Sequence, residues 1–241
     1  VFTTLLVIAT IHTAITLTVG ACAGFGIGYL AGWPTVEQLR AELADAAWQL
    51  AHDPLTDLYN RSGLRTVHAA LAASGPAQPI IAILLDLDGF KEINDEFGHD
   101  TGDDLLMEIA DRLAPLTAAY GGSVARHSGD EYAAILPVRQ HGIFDIGERI
   151  KAAIAEPIQL QGEAGPEAVV VTASIGIAIA DSTEPLQAAL HRADIAMYHA
   201  KAQGRNRHVL YASGMTMPDR ASRRGPRLRD RRHSRGGVDA A

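Results

Sequence analysis

An α+β fold of the ferredoxin-like or palm type, an antiparallel sheet with helices on its faces, is predicted by three features of the sequence. The run Ile80-Ile81-Ala82-Ile83-Leu84-Leu85 is apolar throughout and short, as a strand covered on both faces must be. Two strand-like arms flank a tight turn between Val124 and Leu136, where Gly129 accepts positive φ and Asp130 tolerates a turn. The surrounding elements alternate as strand, helix, strand, strand, helix, strand, the split βαβ pattern, with one more helix and strand appended. In that arrangement the first strand is expected beside the strand that follows the first helix. Asp86, at the end of the first strand, then approaches Asp130 and Glu131 at the hairpin tip.

Taken in order, residues 1–33 contain no Asp, Glu, Lys or Arg and are long enough for a membrane-spanning helix, which needs roughly 20 residues. Tyr29 and Trp33 stand where interfacial anchors belong, and Arg40 beyond them places the C-terminal body on the cytoplasmic side. The expectation is a single pass through the inner (cell) membrane, either a bare anchor or the end of a longer membrane domain. A cleaved signal or lipoprotein segment is the competing reading, against which stands the missing basic n-region. Trp33-Pro34-Thr35 is expected to end the span and start a stalk over 34–52, with Thr35 as N-cap. Val36, Leu39, Leu43, Ala46 and Leu50 recur by threes and fours over two heptads, a seam able to pair two chains or to pack on its own domain.

Asp53 to Arg61 reads as a turn leading into a helix from Ser62 to Ala73. After the strand ending at Asp86, Gly102 to Ala118 is amphipathic, with Leu105, Leu106, Ile109 and Leu113 on one face. The hairpin follows, then a helix over Ile143–Ala155. A valine-rich strand over Ala168–Ala180 contains Gly176, a mark of a bulge or a close approach. A helix over Leu186–Ala202 and a short strand over Arg207–Tyr211 complete the body. The tail, 212–241, carries eight arginines and few large apolar side chains and is expected to be disordered; attraction to anionic lipid is its sharper reading.

Charge narrows the function. The chain carries −7, and the tail, with three aspartates, contributes +5, so the body carries −12. An acidic body argues against nucleic-acid binding. Cys22 is the single cysteine, which excludes an intramolecular disulfide and a cysteine-based zinc site.

Asp86, Asp130 and Glu131 converging on one point would suit Mg²⁺, a hard cation that takes oxygen ligands; Mn²⁺ is the alternative. Metals held this way activate a hydroxyl and steady a leaving phosphate. Lys91, Lys201 and Arg205 are cations suited to phosphate, whereas Asn94 and Asp103 bring an amide and a carboxylate. A carboxylate accepts from the N1 and N2 hydrogens of guanine, and adenine presents no such pair. The residues alone therefore point to a Mg²⁺–nucleotide site.

From about Asp53 to Tyr211 the chain resembles the GGDEF family of diguanylate cyclases. Asp53-Pro54-Leu55-Thr56-Asp57-Leu58-Tyr59-Asn60-Arg61 is similar to the family's opening motif. Leu85-Asp86-Leu87-Asp88-Gly89-Phe90-Lys91-Glu92-Ile93-Asn94-Asp95, with Phe97-Gly98-His99 and Gly102-Asp103, resembles its metal and base segment. Ser128-Gly129-Asp130-Glu131-Tyr132 resembles its signature hairpin, and Ala200-Lys201 with Gly204-Arg205-Asn206 its closing motif. The resemblance implies condensation of two GTP into cyclic di-GMP with loss of two pyrophosphates. It makes Asp86, the Leu87 carbonyl, Asp130 and Glu131 the metal ligands, and Asp130 the base for the 3′-hydroxyl. It makes Asn94 and Asp103 the guanine readers and His99 a further substrate contact. Lys91, Lys201 and Arg205 become the phosphate-holding cations, Lys91 counted with Asp130 and Glu131 among the catalytic residues. One GTP per site implies a homodimer, for which the seam gives a reason.

Two departures stand out. Ser128 replaces the first glycine of the signature, and Tyr132 replaces phenylalanine. Ala119 and Gly122 stand where the family's inhibitory product site needs Arg and Asp, so no product inhibition through that site is expected. A catalytically inactive module that binds GTP and regulates a partner is the alternative reading. The input signal and downstream receptors are not encoded in the motifs.

Overall fold

The computed structural model describes residues 2–138, 143–162 and 165–217, without the side chains of 2–9, 11, 23–34, 143, 144 and 162. The chain divides into two compact units, 1–50 and 51–241.

The first unit is one helix, α1 (Phe2–Ala51). It continues through Pro34, so the expected break there and the N-cap at Thr35 are not found. A proline forfeits one backbone donor, and here the helix persists on both sides of that loss. Among the described residues no helix is long and apolar enough to cross a membrane. Many side chains of the span expected over 1–33 lie outside the described residues. The seam is exposed: Val36 at 45%, Leu39 at 53%, Leu43 at 70% and Leu50 at 75%.

The second unit contains α2 (Arg61–Ala73), β1 (Pro79–Asp88), α3 (Phe90–Phe97), α4 (His99–Ala119), β2 (Ser123–Ser128) and β3 (Glu131–Pro137). It continues with α5 (Ile143–Ile154), β4 (Ile158–Gly162), β5 (Gly165–Val169), β6 (Thr172–Asp181), α6 (Leu186–Ala202) and β7 (Arg207–Leu210). The main sheet has the order β2-β3-β1-β6-β7. The apolar run thus forms the centre of the sheet, and its side chains alternate between two helical layers. Ile81, Ile83, Leu85 and Leu87 join α4 and α5 in one core, with Leu105, Ile109, Ile146 and Ile150. Leu84 faces α2 and α6, with Leu64, Ala193 and Met197.

Three expectations are corrected. The hairpin arm beside β1 is β3, not β2. Residues 132–136 of β3 are all buried, whereas β2 ends in Arg126, His127 and Ser128, which suit an edge. The sheet is mixed rather than antiparallel, because α6 carries the chain back across the sheet and β7 runs parallel to β6. The strand expected over 168–180 is two: β5 pairs with β4 in a separate hairpin, and only β6 enters the main sheet. Burial of Ile158 and Leu160 in the α4–α5 core holds that hairpin in place. Gly176 marks a close approach as expected, since a Cβ there would strike the backbone of Ala193 and Met197 in α6. The expected tail lies mostly at 218–241, outside the described residues.

Candidate active site

The end of β1 organises the site. Asp86 is the register partner of Glu131 in β3 on one side and of Ser174 in β6 on the other. The Leu87 amide donates to the Asp130 carbonyl at 3.3 Å, tying the hairpin turn to the strand. Asp86, Asp130 and Glu131 are thereby neighbours, through β3 rather than through the strand expected beside β1. Burial raises the pKa of the Asp86 carboxyl; Lys201 opposes the rise, and Asp130 and Glu131 add to it. Burial raises Asp130 as well, against its own backbone N–H and Lys201. The Lys201 ammonium lies 2.7 Å from Asp86 Oδ2, so this lysine supplies the positive charge at the end of β1. Ser128 Oγ donates to Glu131 Oε2 at 2.6 Å.

Among the described residues no group of three or more His, Cys, Asp or Glu is arranged to hold a metal ion. The three carboxylates are adjacent without forming a closed shell. Their chemistry nevertheless fits a hard divalent cation: carboxylate oxygens, two of them on groups whose charged form is disfavoured by burial, beside a cation already drawn in by one of them.

Among the described residues Arg126 bonds to neither the Asp130 nor the Glu131 carboxylate. Its Nε donates to the Gly129 carbonyl at 2.9 Å and its Nη1 to Asp53 Oδ1 at 3.1 Å. Asp53 also accepts from the Thr56 amide and hydroxyl. Burial alone would raise the Asp53 carboxyl, but the bonds from Thr56 and Arg126 hold it below its ordinary value. The Arg126 amide donates to the Tyr59 carbonyl at 2.9 Å, and Arg61 Nε to the His127 carbonyl at 2.6 Å. The opening motif is thus a brace for the hairpin turn, where Gly129 sits at φ 51°.

Asp88 is the residue to which the sequence reading gives no role. Its side chain is 7% exposed and accepts from Thr172 Oγ1 at 2.8 Å, Ser174 Oγ at 2.7 Å and the Asn206 amide at 3.0 Å. Arg205 Nε approaches it at 3.8 Å. Asp88 therefore fastens the closing motif, where Arg205 and Asn206 hold φ of 62° and 46°, to the end of β1. The Asp86-x-Asp88 spacing, which puts both side chains on one face of a strand, is the signal that could have revealed it.

The expected base readers sit apart from the carboxylates, on α3 and α4. Gly89, at φ 79°, turns the chain from β1 into α3, and Gly98, at φ 88°, separates the two helices. Neither α3 nor the start of α4 at His99 was anticipated; only Phe90 and Ile93 of α3 pack on the core, too few to mark a helix by period. Asn94 Oδ1 is buried with no hydrogen-bond partner among the described residues, against Gly102, where a Cβ would collide with it. A buried acceptor left without a donor costs about 1–3 kcal/mol. Lys91, His99 and Asp103 are exposed, and their side chains make no hydrogen bond or ion pair among the described residues.

The two departures are accommodated. Tyr132 is fully buried in the α4 core, its hydroxyl donating to the Leu106 carbonyl at 2.8 Å, and burial pushes its pKa well above the usual phenol value. Ser128 is exposed at the end of β2. At the expected product-site positions, a Cβ on Gly122 would lie 2.5 Å from the Ile135 carbonyl oxygen, leaving no room for an aspartate without rearrangement. A cleft of about 510 Å³ between α2 and α6, walled by Arg61, His127, His191 and Asp194, reaches the carboxylates only at Glu131.

Comparison with known proteins bears on this arrangement. The family described as "Diguanylate cyclase, GGDEF domain" matches residues 50–207. The bifunctional diguanylate cyclase/cyclic di-GMP phosphodiesterase MucR of Pseudomonas aeruginosa is 37% identical over 172 residues, covering 69% of this chain and 24% of MucR. The response regulator PleD of Caulobacter vibrioides is 37% identical over 175 residues, covering 70% of this chain and 38% of PleD. The chain thus spans well under half the length of these two relatives. The crystal structure of the coiled coil and GGDEF domain of DgcB from Caulobacter crescentus, in complex with c-di-GMP, matches with a TM-score of 0.63 at 28% identity. That match covers 74% of this chain and 95% of DgcB.

Proposed function

Since the chain belongs to the GGDEF family of diguanylate cyclase domains, we propose that it condenses two GTP into cyclic di-GMP, releasing two pyrophosphates, as a homodimer. The observation that carries this reading is the pairing of Asp86 with Glu131, with Asp130 in the turn between the hairpin arms.

Asp86, Asp130, Glu131 and the Leu87 carbonyl would hold Mg²⁺ or Mn²⁺, which when bound polarises the phosphoryl group and offsets the charge of the leaving pyrophosphate. Asp130 takes the proton of the 3′-hydroxyl as its oxygen attacks the α-phosphorus of the other GTP. Burial raises its carboxyl, moving the base toward working pH. Lys201, beside Asp86, and Lys91 meet the negative charge that develops on the phosphates, and Arg205 adds a third cation while braced by Asp88. Asn94 Oδ1, an acceptor without a protein donor, and the exposed Asp103 take the N–H groups of guanine, with His99 at the mouth between α3 and α4.

The two GTP-bearing sites must face one another. The exposed seam Val36, Leu39, Leu43, Leu50 supports pairing of two chains through a short coiled coil. Anchoring through residues 1–33, with the body on the cytoplasmic side, is part of the same proposal and rests on their lack of charge. The Lys201–Asp86 pair favours a second reading, a GTP-binding module without turnover, in which the lysine keeps that carboxylate engaged.

Incubating the full chain with GTP and Mg²⁺, beside Asp130→Ala, separates the two. Cyclic di-GMP from the parent and none from the variant supports the cyclase. GTP binding by a demonstrated dimer with no product supports the binding module.

A further inference from the structure

We propose that Ser128, where the family signature has glycine, is a positioning residue for the Glu131 carboxylate: its hydroxyl pins one carboxylate oxygen so that the other presents to the divalent cation. The inference rests on the metal-site reading above and concerns a residue that reading gives no role.

The backbone sets up the contact. The β2–β3 register slips between Arg126 and Ser128, and the slip makes Ser128 the partner of Glu131 in the last ladder pair before the turn. Without it His127 would stand nearest that position. The Ser128 hydroxyl lies 2.6 Å from Glu131 Oε2, the length of a hydroxyl donating to an ionised carboxylate. Ser128 is exposed, so this side chain fills no cavity and supports no core.

The three carboxylates are held by different means. Asp86 is engaged by Lys201 and Asp130 by its own backbone amide. Glu131 makes no ion pair among the described residues, and the serine hydroxyl is the donor that reaches it. A glutamate has three side-chain torsions to fix, which makes it the loosest of the three ligands without such a bond. A serine donates a single hydrogen, so Oε1 and the remaining lone pair of Oε2 stay available to a cation. Glycine has no side-chain donor for this carboxylate. The same substitution that adds a Cβ to the turn therefore adds a donor beside a ligand, and Gly129, which keeps the positive φ, remains glycine.

The test is Mn²⁺ binding, followed by electron paramagnetic resonance, to the full chain with a GTP analogue bearing a methylene between the α- and β-phosphorus. Ser128→Ala should weaken Mn²⁺ binding about three- to tenfold, the size of one hydrogen bond to a charged group partly exposed to water. Ser128→Thr keeps the hydroxyl on a residue that strands accept and should bind within about twofold of the parent. In turnover, Ser128→Ala should raise the Mg²⁺ concentration for half-maximal rate while leaving the rate at saturating Mg²⁺ unchanged. Equal or tighter Mn²⁺ binding by Ser128→Ala, or failure of Ser128→Thr to restore it, overturns the proposal. Asp130→Ala is the control: Mn²⁺ binding untouched by that change overturns the metal-site reading itself, and this inference with it.

Discussion

The two halves of the candidate site differ in how they satisfy their polar groups. At the end of β1 and in the hairpin, Asp86 has Lys201, Asp88 has Thr172, Ser174 and Asn206, and Glu131 has Ser128. On α3 and α4, Asn94 Oδ1 has no partner among the described residues, and Lys91, His99 and Asp103 are exposed. The first half is built on central strands, where charge without an internal partner destabilises the fold. The second is built on helix ends at the surface, where water serves exposed groups and only Asn94 carries a penalty. Specificity is therefore expected from the half whose groups still lack donors, and catalytic electrostatics from the half already fixed in place.

The sharpest way to break this contrast is Gly102→Ala. The new Cβ would strike the Asn94 side chain, which can swing away at little cost to the fold. The expected result is a KM for GTP about tenfold higher, with kcat and melting temperature nearly unchanged. A fall in kcat with KM intact would mean that Asn94 serves the chemistry instead. Asp103→Ser asks the same of base choice: preference for GTP over ATP in kcat/KM should drop by roughly tenfold or more, as one guanine-facing acceptor is weakened. An unchanged ratio would remove Asp103 from the base site. The smallest effect concerns stability in the other half. Because burial raises Asp130 in the folded protein, its ionisation opposes folding. The stability this one group contributes is then fully present below the unfolded value, near 3.8, and is lost as pH rises through the folded pKa. Asp130→Asn should accordingly raise Tm at pH 7, on the order of 1–3 °C. Thermal melts should show that gain shrinking toward zero below about pH 4; a gain that persists in acid would assign it to packing.

The strand core and the carboxylate trio were legible because both depend on local pattern. An unbroken apolar run can only be central, and a hairpin turn announces itself through Gly129. What was missed depends on contacts remote in the chain. The partner of β1 was decided by which hairpin arm was the more apolar. The strand expected over 168–180 divided because Ala168 and Val169 pair with β4, whereas the chain from Thr172 pairs with β1, a change of partner that a period-two pattern does not distinguish. Asp88 reads as one more acidic residue until β6 brings Thr172 and Ser174 beside it. Lys201 was legible as a cation near phosphate but not as the ion-pair partner of Asp86, since that pairing joins α6 to β1. The N-terminal helix is the plainest case: Pro34 and Thr35 look like a junction, yet the helix runs through them.

Arg126 has a mechanical consequence. One guanidinium joins Asp53, two residues beyond the end of α1, to the Gly129 carbonyl in the hairpin turn, while the Arg126 amide is bonded to Tyr59. Asp53, Tyr59 and Gly129 thus hang on one side chain and one strand residue, like spokes on a hub. The segment where the chain enters the domain is thus tied to the turn that carries Asp130 through two bonds of one side chain. The entrance segment and the turn that carries Asp130 share one guanidinium as their common support.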